Sequence, residues 1–462
     1  STQGYSSAAS DVYKRQMQKE LPQSLKDVAV FPEDPRYDKV RSNDFKVGQP
    51  EIVILAETEE QVMETINYTA RIRQDQNEKF PLSVRCGGHG LAATSVNDQG
   101  VILDLSQMNQ ISVVDKEKGL VNVQAGALWS DVAVKLHSDQ LVISSGDHGD
   151  TGVGGLAVSG GMGTILRSFG LTIDKVIEAT IITADGKKHI VDKENEPDLF
   201  WGIRGGGGQF GVVTEFLFQA DKATAVNSKI ANPMIVQTIN YSITDLFEFI
   251  QGWHNWFKTA SNKLTSTLFL NKGPDQTITV QTRNFWYGEE TSESKNVLEQ
   301  ALRLGTVSAT TEILMNYSDF FPDEHARIEG KNPVFAKNTL VTHIPQEIAV
   351  EIEKLLELSF VYGVELRALG GAVNEKTADF NAWPFREAEI MIAYFFNKEY
   401  TDQAIQLFQP IQEFGQGVYG AYSSDTSQEE NARVWPGATG KKIKEVKEKY
   451  DPTNLFDQNR QL

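Results

Sequence analysis

Cysteine is almost missing from this chain. One residue, Cys86, stands among 462, so no disulfide can form within the chain and Cys-rich zinc sites are excluded. Positive charge is also scarce: 44 Lys and Arg face 62 Asp and Glu, a formal net charge of −18. That balance argues against nucleic acid or an anionic membrane as partner, because both need a basic field. No apolar run reaches the length of a membrane span, and there is neither an internal repeat nor a low-complexity linker. Few cysteines and no signal-like apolar stretch make the cytoplasm the expected compartment. His325, in Asp323-Glu-His, has no partner motif, and no metal site is expected.

The composition that is present, 40% hydrophobic and 23% charged, is that of a globular enzyme long enough for two or three cores. Residues 1–16 are polar, Ser- and Ala-rich and precede Met17; they are expected to be a leader foreign to the fold. The Pro-punctuated segment 17–43 is expected to lie on the surface. A strand at 51–55 precedes a helix with Thr58 as N-cap and Gln61 as its capping-box partner. Strands follow at 81–85, 101–105, 111–114 and 120–123, then a helix at 128–138. A hairpin is expected at 177–191 around Asp185-Gly186, a short helix from Asp198, and a strand at 212–219. Between 226 and 410, strands at 264–270, 277–285 and 389–395 alternate with helices at 244–257 and 345–360. A lysine-rich helix at 441–450 stops at Asp451-Pro452.

Glycine is concentrated in three tracts. Arg85-Cys-Gly-Gly-His-Gly90 follows a strand-like run. Gly146 to Gly163 holds nine Gly or Ala in eighteen residues, and Gly205 to Gly208 is unbroken. Glycines let the backbone approach a ligand closely, and successive N–H groups can form a concavity suited to a pyrophosphate. Two stretches formally fit a dinucleotide fingerprint, Gly152-Val-Gly-Gly-Leu-Ala157 and Gly206-Gly-Gly-Gln-Phe-Gly211. Neither sits in a βαβ unit, and the second runs into a strand, so a Rossmann NAD site is not expected.

In their order and spacing these tracts, with Asp198-Leu-Phe-Trp, Leu369-Gly-Gly-Ala-Val373, Phe385-Arg386 and Lys447-Glu-Lys-Tyr-Asp-Pro-Thr-Asn-Leu-Phe456, resemble the vanillyl-alcohol oxidase superfamily. They are most similar to its berberine-bridge-enzyme-like branch, which includes oligosaccharide oxidases and a hydroxynicotine oxidase. The resemblance implies an α+β, two-domain fold. An FAD-binding domain at 17–225 is completed by a return at 411–462, and a substrate domain with a large antiparallel sheet occupies 226–410. It implies FAD joined covalently to His89, with Arg85, Cys86, Gly87, Gly88, Gly90, Thr151, Gly152, Gly155, Gly163 and Val213 around the cofactor. His148 falls where many relatives carry a second, cysteinyl link, so a single link is expected. His148 is then either a polar neighbour of the flavin or a surface loop residue. Thr151 takes the position that gates oxygen, and Gln209 replaces a usual asparagine.

The same resemblance implies hydride transfer from a small alcohol or sugar to FAD and then to molecular oxygen, with Tyr422 as base and Tyr419 as the alternate. A tyrosine, whose pKa is about 10, needs a nearby cation or the flavin edge to lower it for that task; otherwise Tyr422 is simply a strand aromatic. The family's asparagines are replaced at Ala421 and Thr439, which leaves oxidation of an amine, or flavin binding without turnover, as alternatives. Phe269, Phe285, Tyr394 and His343 are candidate pocket residues that read more readily as core.

Overall fold

Strands rich in Val, Ile and Leu at Ile52–Leu55, Leu82–Arg85 and Val101–Asp104 pair in parallel, with Val101–Asp104 in the middle. They are almost wholly buried, as a parallel sheet covered on both faces requires. This is a computed structural model, and it describes residues 20–76, 80–223, 230–273, 277–321 and 329–462. The expected leader at 1–16 and His325 lie outside the described residues. The segment expected on the surface after Met17 is partly interior: Ala29–Val30 adds an antiparallel edge to this sheet, and Leu21, Leu25 and Val28 are buried. The apolar positions hidden among its polar residues supply that edge. Before the helix Glu59–Gln76, Thr58 Oγ1 accepts from the Gln61 amide at 3.3 Å. Gln61 Oε1 accepts from the amide of Glu57 rather than that of Thr58, at 2.7 Å.

A second, five-stranded antiparallel sheet runs Ile111–Asp115, Leu120–Gln124, Val212–Gln219, Val176–Ile182 and Lys188–Asp192 in spatial order. It includes the expected hairpin. The third sheet is larger. Its seven antiparallel strands lie in the order Thr306–Asn316, Pro233–Ile243, Ile278–Tyr287, Leu264–Lys272, Val361–Ala368, Ile390–Asn397 and Val334–Val341.

Alternation along these strands separates two faces. Val364, Leu366, Ile390, Ile392, Tyr394 and Phe396 pack into one core with the helices Leu246–Thr259, Gln346–Leu356 and Thr401–Phe414. Their neighbours Met391, Ala393 and Phe395 cluster instead with Trp383, Tyr419 and Tyr422. The helix Leu246–Thr259 forms because Asp245 caps it, accepting from the Glu248 amide at 3.0 Å. Its Leu246, Phe249, Ile250, Trp253 and Phe257 make one apolar stripe.

Two returns tie the first part of the chain to the rest. The helix Gly437–Tyr450 meets the short helix Pro197–Ile203 through Tyr450 and Lys449, both bonded to Asp198. Arg167, almost wholly buried, donates to the carbonyls of Leu264 at 2.7 Å, Leu369 at 2.6 Å and Phe257 at 2.9 Å. Burial without a close carboxylate brings its pKa down to about 10.

Candidate active site

The strand Leu82–Arg85 delivers the first glycine loop. Arg85 anchors it: Nε donates to Asp104 Oδ2 at 2.7 Å and the guanidinium also reaches the carbonyls of Ser42 and Val40. Gly87 and Gly152 then meet backbone to backbone. A Cβ on Gly87 would stand 2.3 Å from the Gly152 amide nitrogen, and one on Gly152 would stand 2.2 Å from that of Gly87. Only glycine permits this approach, and it sets the two loops side by side.

Together with Gly205 to Gly208, the two loops bound a cavity of about 780 Å³. Cys86, Gly87, Gly88, His89, Gly90, His148, Thr151, Gly152, Gly155, Val213, Tyr419 and Tyr422 all line it. Two expected positions do not. Arg85 is spent on strand anchoring, and Gly163 packs on the Ser145 carbonyl, which a Cβ there would meet at 1.9 Å. Phe269, Phe285, Tyr394 and His343 are also absent from the wall; on the strand Ile390–Asn397 it is Phe395, one residue along, that faces the cavity. Gln209 braces the third tract by donating to the Gly206 carbonyl at 2.8 Å, and Trp435 Nε1 donates to that of Gly205 at 3.0 Å.

His89 Nε2 lies 2.7 Å from Asp150 Oδ1, and its ring stacks with that of His148 at 5.8 Å between centroids. The Cys86 thiol is pushed up to about 12 by burial and then by Asp104, which keeps it unreactive. The amides of Gly88, His89 and Gly90 donate to no backbone carbonyl among the described residues. A Cβ on Gly90, Gly155 or Gly207 would enter open space. Ser95 Oγ and Trp383 Nε1, on the cavity wall, are buried with no hydrogen-bond partner among the described residues. Free amides, room beside glycine backbones and spare donors fit a large dinucleotide bearing a pyrophosphate.

Behind the wall at the Tyr422 end lies side-chain chemistry that the sequence did not announce. Tyr422 OH donates to Glu365 Oε2 at 3.3 Å. Arg367 Nε donates to Glu365 Oε1 at 2.9 Å and Nη2 pairs with Asp147. The Arg367 guanidinium lies 5.7 Å from the Tyr422 ring centroid. Tyr419 OH accepts from the Gly161 amide at 2.9 Å. The cation expected near Tyr422 is therefore present, but the expected lowering of its pKa is not. Burial and the Glu365 carboxylate outweigh Arg367 and hold the Tyr422 hydroxyl well above its ordinary value. Burial raises Tyr419 to about 12. Glu365 is itself raised, by burial first, against the pull of Arg367.

A family profile described as FAD binding domain matches residues 50–192. Over 452 residues the chain is 26% identical to the FAD-linked oxidoreductase YgaK of Bacillus subtilis (strain 168), covering 92% of this chain and 94% of that protein. This chain is an FAD-linked oxidoreductase. Solved structures share its fold. The likeness to a chitooligosaccharide oxidase has a TM-score of 0.82 at 20% identity, over 96% of this chain and 99% of that one. With 6-hydroxy-D-nicotine oxidase from Arthrobacter nicotinovorans the TM-score is 0.79 at 20% identity, over 94% and 96%. The first two glycine tracts fall within the residues matched to the FAD binding domain, and Glu365 and Arg367 lie on the large antiparallel sheet. A strand written Val364-Glu-Leu-Arg-Ala368, with charges alternating against apolar residues, is the signal that would have found them.

Proposed function

We propose that this oxidoreductase is an oxidase acting on the C–OH group of a small alcohol or sugar. In this reading FAD is held through a single covalent link to His89, and dioxygen is the final acceptor, reduced to hydrogen peroxide. Bound FAD supplies the acceptor for hydride. The observation that carries the reading is the hydrogen bond from Tyr422, on the wall of the cavity that also holds His89, to Glu365 buried behind it. A tyrosine held well above its usual pKa is a poor base alone. With Glu365 behind it, the substrate hydroxyl passes its proton to the Tyr422 oxygen while Tyr422 passes its own to Glu365 Oε2. The raised pKa of Glu365 suits a proton acceptor. Arg367 and Asp147 hold that carboxylate in place. Thr151, small and on the cavity wall, leaves room for oxygen.

One observation favours a second reading. Among the described residues the wall presents the carboxylates of Asp44, Asp147 and Asp150, of which Asp147 is already paired with Arg367, and the lining cation Arg460. A neutral amine becoming iminium gains from that field and needs no strong base, so C–N oxidation is the alternative. Oxygen uptake with hydrogen peroxide release, screened over alcohols, sugars and amines, tests both. Turnover of alcohols that collapses in Tyr422→Phe supports the first, turnover of amines indifferent to that change supports the second, and turnover without peroxide in air overturns the oxidase.

A further inference from the structure

Asp150 is not among the residues the sequence singled out, yet it makes a close contact with His89 across the two glycine loops. Its carboxylate is 8% exposed, and Oδ1 lies 2.7 Å from His89 Nε2. The alignment is not that of a full hydrogen bond, and both atoms are buried with no other partner among the described residues; the pair has only itself. His148 stacks on the same imidazole with an interplanar angle of 29°. The Gly87–Gly152 backbone contact holds the two loops in register, and the Asp150 carbonyl is itself 3.0 Å from where a Cβ on Gly87 would be. His89 is thus fixed from the neighbouring loop on two sides.

We propose that Asp150 is a positioning residue for attachment of the flavin to His89. This rests on the covalent link put forward above. An ionised carboxylate can only accept, so a carboxylate facing Nε2 requires the proton on Nε2 and leaves the lone pair on Nδ1. In the step that follows, Nδ1 supplies the electron pair for a bond to the 8α carbon of FAD. One methyl C–H bond breaks, its proton passes to the ring, and the ring is thereby reduced by two electrons. Dioxygen takes those two electrons and leaves as hydrogen peroxide, with one proton from the ring and one from solvent. His89 ends as an imidazolium whose Nε2–H faces Asp150, so the carboxylate that selected the tautomer also neutralises the charge formed. An asparagine there can offer its N–H₂ to Nε2 and stabilise the wrong tautomer.

The test follows attachment itself. Wild type, D150N, D150S and D150E, purified from riboflavin-starved cells, are incubated with FAD in air. Flavin surviving acid precipitation with the polypeptide is measured against time, beside total bound flavin. The expected result is that D150N and D150S bind FAD but attach it at least about ten-fold more slowly, the scale of losing an imidazole's orienting partner, and that D150E recovers most of the rate. Attachment at the wild-type rate in D150N or D150S overturns the role of Asp150 and leaves the link intact. Wild type whose flavin is all released by acid overturns the link and this role together, whereas loss of attachment in H89A alone keeps the link.

Discussion

The two ends of the cavity are built from different materials. Around His89 the wall is mostly backbone, with glycines where loops touch and where a ligand needs room. Around Tyr422 it is side chain, with a tyrosine and an aspartate on the wall linked through a glutamate and an arginine buried behind it, across the large sheet and a glycine loop. A backbone site is intolerant of added atoms, while a side-chain site is intolerant of lost charge. The same substitution size should therefore have opposite consequences at the two ends.

The largest effect is expected at the side-chain end. Tyr422→Phe or Glu365→Gln should lower kcat by about 10²–10⁴-fold, the range of a lost general base, with bound flavin unchanged. Equal turnover by either variant on an alcohol would remove the relay. Because Glu365 is raised above its ordinary range, its basic form is lost as pH falls through that raised value. The acid limb of kcat should accordingly lie above the usual glutamate value of about 4.3 and disappear from the residual activity of Glu365→Gln. Arg367→Met leaves Glu365 and Asp147 buried without their cation and should cost about 3–5 kcal/mol in urea unfolding.

At the backbone end, Gly152→Ala forces a Cβ against the Gly87 amide and should cost about 1–3 kcal/mol together with flavin. Gly155→Ala sharpens the contrast. It sits in the helix Val153–Ser159 with open space before it, so stability should rise by up to about 1 kcal/mol while flavin retention falls. A variant that gained both would mean that the cofactor does not use that space. The smallest change is Tyr394→Phe, on the helix-covered face of the sheet. Its buried hydroxyl has no hydrogen-bond partner among the described residues, so its removal should raise the unfolding free energy in urea by about 1 kcal/mol or less.

This division also explains what could be read from the sequence. Backbone sites write themselves as runs of glycine, and Cys86 to Gly90, Gly152 and Gly155 line the cavity as a contiguous reading would place them. Arg85 and Gly163 belong to the same runs but serve packing, a distinction that spacing cannot make. The side-chain end is assembled from residues 147, 365, 367 and 422, brought together by strand pairing between distant segments. Tyr422 was legible only through resemblance, and Glu365, which pushes its hydroxyl up, was not in view. Asp150 was hidden differently: in a glycine-rich loop whose His148 and Thr151 carried the resemblance, an aspartate between them looks like a turn residue.

Arg167 carries a consequence for how this molecule comes apart. Its three acceptors are the end of one helix, the start of a sheet strand and the turn after another, all on the far side of the chain from its own short helix. No one of these segments can loosen while the others stay docked without stranding a buried cation. Heating should then give a single calorimetric transition in which the cavity and the seven-stranded sheet are lost together, with flavin fluorescence rising at the same temperature. In Arg167→Met, where the shared fastening is gone, the two events should separate, and the cofactor end should report its own melting point.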